Sequence, residues 1–111
     1  MSRVAIVGGG AAGMMAAIVC AENGNTVNLY EKNEKLGKKL FITGKGRCNV
    51  TNHCEVEELF QNVVGNPRFL YSAFYSFSNL DVIEFLEKRG LPLKTERGQR
   101  VFPQSDKSSD V

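Results

Sequence analysis

The stretch that decides the fold is "RVAIVGGGAAGMMAAIVCAENGNTVNLYE", residues 3–31. "RVAIV" (3–7) is a short run rich in β-branched residues, which indicates a strand buried on both faces. Clustered glycines follow, then a segment of strong helix formers (11–23) that ends at Gly24. "TVNLYE" (26–31) predicts a second strand. Strand, glycine turn, helix and strand together predict a parallel βαβ unit with a right-handed crossover.

Three glycines of this unit, Gly8, Gly10 and Gly13, stand in G-x-G-x-x-G spacing. Gly8 permits the tight turn out of the strand, and Gly10 lets backbone approach a pyrophosphate closely. Gly13, with small Ala17 one turn later, lets the helix lie against the strands. The spacing therefore predicts the phosphate-binding turn of a dinucleotide site, with a plain glycine-rich turn as the structural alternative.

The start of the helix and the end of the second strand supply the rest of such a site. N–H groups around Ala11 and Ala12 point at an anion from the positive end of the helix dipole. Glu31 comes eighteen residues after Gly13, where a carboxylate accepts hydrogen bonds from the hydroxyl pair of a ribose. The glycines, the flanking elements and the acid together indicate dinucleotide binding.

The residues do not separate FAD from NAD, because both present an adenosine diphosphate to this unit. A fingerprint that begins at Gly8 suits a flavoprotein whose FAD unit leads the chain. Glu31 disfavours a 2′-phosphate, but Lys32 beside it leaves NADP open.

Composition limits the other classes of protein. A chain of 111 residues holds one modest domain, and a net charge of +2 does not by itself indicate a nucleic-acid or membrane partner. Three cysteines are an odd count, which favours reduced thiols and a cytoplasmic location. Val4 to Ala21 carries no charge and resembles a signal or membrane segment, but its glycines and its mixed periodicity argue against both.

Cations accumulate after the βαβ unit, in "KNEKLGKKLFITGKGRCNVTNHC" (32–54). A solvated loop is the general explanation of such a run. A nucleic-acid surface is the rival, but Phe41 is the one aromatic residue available for base stacking. A cofactor pyrophosphate explains the excess more economically, with Arg47 as a fork-shaped partner for its oxygens.

Three segments, "VAIVGGGAAGMMAA", "LYEKNEKLGKKLFITGKGRCNVTN" and "GQRVFPQSDKSSDV", resemble the amino-terminal part of the bacterial BaiN/YhiN-like flavoproteins. The resemblance implies an α/β fold, namely a Rossmann-like FAD-binding βαβ unit of the glutathione-reductase type, incomplete at its C-terminus. It implies an FAD-dependent oxidoreductase acting on a small organic substrate, with NAD(P)H as a candidate electron donor. The residues themselves favour neither a nucleic-acid partner nor a membrane partner.

The same resemblance assigns site residues. Gly8, Gly10, Ala12 and Gly13 would meet the FAD pyrophosphate together with Ala11, and Glu31 would meet the ribose with Lys32 beside it. The route toward the flavin ring would be lined by Thr43, Gly44, Arg47, Cys48 and Asn49. No catalytic residue and no metal ligand is predicted.

The family proteins are roughly three to four times longer, as suits two or three domains. We therefore expect an amino-terminal fragment in which residues 1–90 belong to the FAD/NAD(P)-binding domain. Residues 91–111 would begin an inserted substrate-side region. "SDKSSDV" (105–111) is expected to begin a helix capped by Ser105 or Ser108.

The middle of the chain predicts helices over 55–64, 66–77 and 79–90, and a hairpin over 91–103 that turns near Gly98. Asn66 and Pro67 are expected to cap and open the second of these helices. Aromatic residues at helical spacing indicate core packing rather than a flavin cage. They are Phe69, Tyr71, Phe74, Tyr75 and Phe77.

Two alternatives to this oxidoreductase remain from the residues. A flavin disulfide reductase would use Cys48 and Cys54, but on a helix their spacing turns the second thiol off the face of the first. His53 beside Cys54 is a weak hint of a metal site. A nucleotide-binding or interaction module without catalysis is the second alternative.

Overall fold

The computed structural model describes all 111 residues, Met1–Val111, as two compact units, residues 1–43 and residues 44–111. Unit 1 contains a parallel pair of strands with two helices, and unit 2 contains an antiparallel three-stranded sheet with three helices. None of the helices combines the length and the apolar character that crossing a bilayer requires.

Unit 1 has the predicted order of strand, helix and strand. Its elements are β1 (Arg3–Val7), α1 (Ala11–Glu22), β2 (Thr26–Tyr30) and α2 (Lys38–Ile42). The two strands run parallel and remain in register to their last residues, where Val7 lies opposite Tyr30. Both strands therefore end at one edge, and the chain segments that follow them start side by side.

The prediction that β1 is buried on both faces is wrong. Helix α1 packs against both strands, but residues of β1 alternate between exposed and half-buried. Val7 is 88% exposed and Tyr30 is 59% exposed. A single helix covers a single face of this two-stranded sheet, so every second side chain points away from it.

Unit 2 begins inside a 3-10 turn at Thr43–Gly46. Its regular elements are β3 (Thr51–Asn52), α3 (Val56–Gln61), α4 (Tyr71–Ser76), α5 (Asn79–Lys88), β4 (Leu93–Glu96) and β5 (Arg100–Pro103). The strand order is β3-β5-β4, and both pairings are antiparallel. The predicted hairpin is confirmed, with Glu96 opposite Arg100 across a turn that contains Gly98.

The predicted helix 66–77 is divided in two. A 3-10 turn, Pro67–Leu70, precedes α4, and the side chain of Asn66 makes no capping hydrogen bond. The Phe69 N–H donates to the Asn66 carbonyl at 3.3 Å instead, because the tight turn closes onto the backbone. Asn66 is therefore the N-cap and Pro67 opens the turn, as predicted, but the cap is made without the Asn66 side chain.

The start of α5 is capped in a way that the sequence reasoning missed. The Ser78 hydroxyl accepts from the Asp81 N–H at 3.2 Å, and the Asp81 carboxylate accepts from the Ser78 N–H at 2.8 Å. This capping box satisfies two amide groups at the helix start.

The end of the chain does not form the expected side-chain cap. A 3-10 turn covers Ser108–Asp110, and no side chain caps it. The Ser105 hydroxyl accepts from the Lys107 N–H at 3.2 Å, which makes a local turn rather than a helix start.

The aromatic residues do not form the predicted core. Phe60 packs against Tyr71 and Phe74, with ring centroids 4.7 and 5.4 Å away, but Phe69 is 82% exposed and Tyr75 is 60% exposed. Helices α3 and α4 are short, so they pack on each other and leave their outer faces in solvent. The buried apolar residues of unit 2 are Cys48, Cys54, Leu93, Val101, Phe102 and Pro103.

Residues 91–111 belong to the same compact unit as residues 44–90, because β5 pairs with β3. The domain division at residue 90 concerns the family's whole architecture and stays a prediction.

Candidate functional site

The glycine turn between β1 and α1 has the geometry that its spacing predicts. Gly8 has a φ of +102°, and its N–H donates to the Tyr30 carbonyl at 2.7 Å. A Cβ on Gly13 would lie 1.8 Å from the Gly8 carbonyl oxygen. The first turn of α1 thus presses directly on the glycine turn, and a side chain at Gly13 would push them apart.

The start of α1 is open. Gly10 is its N-cap, and a Cβ on Gly10 would meet no atom within 4 Å. Ala11 and Ala12 are exposed, and the first turn contains no acidic residue. The first amides of a helix have no partner within it, so the positive end of the helix dipole faces open space. This arrangement attracts an anion such as a pyrophosphate.

Glu31 lies beside this turn because β1 and β2 end together. Its Oε1 accepts from the Gly9 N–H and its Oε2 accepts from the Asn33 N–H, both at 2.8 Å. These two backbone hydrogen bonds lower the pKa of the Glu31 carboxyl, with the bond from Asn33 the larger cause. The carboxylate is therefore charged at neutral pH and keeps further lone pairs for a hydroxyl donor.

Gly9 is the residue that the sequence reasoning missed. It is buried, its N–H donates to Glu31, and its carbonyl accepts from the Gly37 N–H at 2.8 Å. A Cβ on Gly9 would lie 2.5 Å from Leu36 Cδ2. Two signals in the sequence could have found it. The turn has one glycine more than the fingerprint needs, and its bonding partner Gly37 stands inside the lysine-rich segment.

Lys32 follows Glu31 and lines an open cavity of about 540 Å³ made by residues 32–42. Leu36, Phe41 and Ile42 form its apolar part, and each is more than half exposed. The cavity is also lined by Asn33, Glu34, Lys35 and Lys38. The predicted cationic excess thus surrounds an apolar surface next to the glycine turn.

The segment 43–49 contains the remaining predicted site residues. In unit 1, the Thr43 hydroxyl donates to the Leu40 carbonyl at 2.7 Å. In unit 2, Gly44 has a φ of +57°, and a Cβ there would lie 2.8 Å from the Asn49 nitrogen. Asn49 itself is exposed. The tight approach of Gly44 to Asn49 folds this loop back on itself.

Arg47 does not present a vacant fork. Its Nε donates to Asp106 Oδ1 at 2.8 Å, its Nη2 donates to Glu96 Oε2, and its guanidinium lies 4.0 Å from the centre of the Phe102 ring. The phosphate contact predicted for Arg47 stays a prediction, and in this structure two of its three donor nitrogens bond to carboxylates of unit 2.

The two cysteines of the disulfide alternative are buried and free. The helix assumed for their geometry is wrong, since β3 lies between them. Burial raises the pKa of the Cys54 thiol, and Glu58 adds to this effect. A raised pKa disfavours the thiolate that exchange chemistry requires. His53 lies 2.9 Å from the Thr95 hydroxyl and joins no metal-ligand group.

The parallel strands, the glycine turn and the acid at the end of β2 define a Rossmann-type domain with the features of a dinucleotide site. Residues 2–111 match the model of the HI0933-like protein Rossmann domain. The chain belongs to this family, and the resemblance to BaiN/YhiN-like flavoproteins is confirmed.

Two curated relatives align over most of the chain and another over about a third of it. A 3-dehydro-bile acid delta(4,6)-reductase of Clostridium scindens is 34% identical over 113 residues, which is 100% of this chain and 27% of the relative. A ribosomal RNA dihydrouridine synthase of Haemophilus influenzae is 35% identical over 97 residues, 87% of this chain and 24% of the relative. An NADH oxidase of Thermoanaerobacter brockii is 55% identical over 40 residues, 36% of this chain and 6% of the relative. The chain thus spans about a quarter of the first two relatives.

Proposed function

We propose that the protein carrying this chain is an FAD-dependent oxidoreductase in which residues 1–43 bind the ADP half of FAD. The observation that supports this most is the charged Glu31 carboxylate held by the Gly9 amide, beside the open start of α1. The two groups suit two neighbouring parts of one ligand, because the carboxylate accepts from ribose hydroxyls and the helix start attracts phosphate.

FAD is preferred over NAD for this unit because the family resemblance is to flavoproteins. A bound flavin supplies hydride transfer, and the chain supplies orientation and charge around it. The predicted nicotinamide donor agrees with the name of the relative from Thermoanaerobacter brockii, an NADH oxidase. NAD(P)H is therefore part of the proposal as electron donor.

The names of two relatives suggest a reaction class. One reduces a dehydro-bile acid, and the other produces dihydrouridine, which is uridine with two hydrogens added. Both names describe hydrogenation of an unsaturated ring. We extend this to the present protein as reduction of a carbon–carbon double bond in a small organic substrate, with a hydride added at one carbon and a proton at the other.

Uridine in ribosomal RNA is the second candidate substrate, since two relatives are named ribosomal RNA dihydrouridine synthases. The sequence reasoning expected no nucleic-acid partner, and that prediction stays open to this test. Ribosomal RNA from cells with and without the gene can be digested and analysed for dihydrouridine by mass spectrometry. A dihydrouridine lost with the gene would overturn the small-molecule substrate, and an unchanged RNA would remove the second candidate.

FAD binding is tested with Gly10→Val. The backbone of Gly10, at φ −83° and ψ −164°, accepts a β-branched residue, and no protein atom lies near its Cβ. The variant should fold normally and bind FAD at least about tenfold more weakly, because the new side chain occupies the space of the pyrophosphate. Ala21→Val, exposed on the last turn of α1, is the matched control. Measured by flavin fluorescence, no binding by the parent chain or equal affinities of the two variants would refute the proposal.

A further inference from the structure

Arg47 lies in a loop of unusual backbone. Besides Gly44, the non-glycine residues Lys45 and Cys48 have left-handed φ angles of +56° and +61°. Non-glycine residues rarely adopt this region, so surrounding contacts must hold them there. The Cys48 side chain is 1% exposed, which anchors one end of the loop in the core of unit 2.

Arg47 and three side chains around it form a closed network of charges. Arg47 bonds to Glu96 and Asp106, and Lys94 Nζ lies 2.7 Å from Asp106 Oδ2 and 3.3 Å from Glu96 Oε2. These contacts lower the pKa of both carboxyls, with the bond from Arg47 the largest cause for Glu96 and the bond from Lys94 the largest for Asp106. Two cations therefore balance two anions.

An anionic ligand gains little from this arrangement. The summed charge of the four groups is zero, and Phe102 covers one face of the guanidinium. A phosphate at Arg47 would lie beside the carboxylates of Glu96 and Asp106, whose negative charges would oppose it.

We infer that Arg47 is a positioning residue that fixes the 44–49 loop to Glu96 of β4 and to Asp106 beyond the end of β5, and not a ligand of the cofactor phosphates. Through this clamp it sets the backbone of Cys48 and Asn49, the loop residues that the resemblance assigns to the flavin end. The inference rests on the proposed function for that assignment alone.

Glu96→Gln tests the inference through the sign of its effect. If Arg47 bound phosphate, losing a competing carboxylate would strengthen FAD binding. If Arg47 is a clamp, the variant weakens FAD binding by about fivefold and leaves ADP binding within about twofold, because one of the charge-assisted bonds holding the loop becomes a weaker neutral one. Arg47→Met should weaken FAD binding to a similar extent, and the double variant should be no weaker than Arg47→Met alone.

Glu84→Gln is the matched control. Glu84 pairs with Lys88 on the exposed face of α5 at 2.9 Å, so it makes the same charge change in the same unit without touching the loop. Tighter FAD binding by Glu96→Gln than by this control would overturn the inference. Additive losses in the double variant would overturn it as well.

A ligand-free measurement separates this inference from the proposed function. Amide hydrogen exchange at Cys48 and Asn49 should quicken in Glu96→Gln and stay unchanged in Glu84→Gln. If the parent chain fails to bind FAD, the proposed function fails and the exchange rates still decide the clamp. Unchanged exchange in Glu96→Gln would refute it.

Discussion

The glycine turn of unit 1 and the 44–49 loop of unit 2 are held by different kinds of contact. In the turn, backbone groups make most of the contacts: the Gly8 amide bonds to Tyr30, and Gly9 bonds to Glu31 and Gly37. In the loop, side chains do so, with Arg47 held by two carboxylates and Cys48 buried. In unit 1 the first amides of α1 remain available to an anion, whereas the charges of the side-chain network in unit 2 neutralise one another.

The largest effect should come from Gly13→Ala, which places a side chain against the glycine turn of unit 1. The new methyl would lie 1.8 Å from the Gly8 carbonyl oxygen, so α1 must move away from the glycine turn. We expect a loss of about 1–3 kcal/mol in the free energy of unfolding, as for overpacked sites, and no measurable FAD binding.

Gly10→Ala is the matched control for that variant, because a Cβ at Gly10 meets nothing within 4 Å. Thermal unfolding followed by circular dichroism compares the two. Equal melting temperatures would show that the contact between α1 and the glycine turn does not hold unit 1 together.

A smaller effect is expected from Glu31→Gln. This variant removes the one side-chain charge that bonds to the glycine turn. The amide keeps the shape but accepts more weakly from Gly9 and from a ribose, so FAD affinity should fall about tenfold. The pKa of Glu31 is lowered, so the charged form persists at neutral pH and is lost only as the pH falls below the ordinary carboxyl range near 4.

FAD affinity of the parent chain should therefore be flat from pH 8 to pH 5 and fall in more acidic solution. Glu34→Gln, an exposed acid three residues further on, should leave the affinity and its pH dependence as they are. The same loss in both variants would mean that general charge, rather than the position of Glu31, attracts the cofactor.

The smallest effect should come from Cys54→Ser in the side-chain-built unit. The thiol is buried and its pKa is raised, so it contributes no thiolate at neutral pH. FAD affinity and substrate turnover of the protein expressed from its gene should stay within about twofold of the parent. Loss of turnover here, but not in Cys20→Ser, would restore the disulfide alternative.

The sequence predicted unit 1 well because its information is local. The order β1, α1, β2 and the tasks of Gly8 and Gly13 follow from spacing within about thirty residues. The exposure of Val7 could not be predicted in this way, because it depends on how many elements cover the sheet.

The sequence predicted less of unit 2 because its contacts join distant residues. Arg47 contacts Asp106, 59 residues further along the sequence, and Glu96, 49 residues further along. No local sequence pattern predicts either pair. A fork of donors was visible in the sequence, but its partners were not. The prediction that the aromatic residues form the core was wrong for the same reason. Periodicity shows which face of a helix is apolar, but not which part of the protein packs against that face.

The bond from the Gly37 amide to the Gly9 carbonyl closes the chain between these residues into a ring. Residues 32–36 must therefore bridge a set distance, while most of their side chains are exposed. The number of residues in this segment is therefore constrained, whereas the identity of their side chains is comparatively unconstrained. A peptide tag inserted there would remove the bond between Gly37 and Gly9, whereas point substitutions among the exposed lysines would leave it in place.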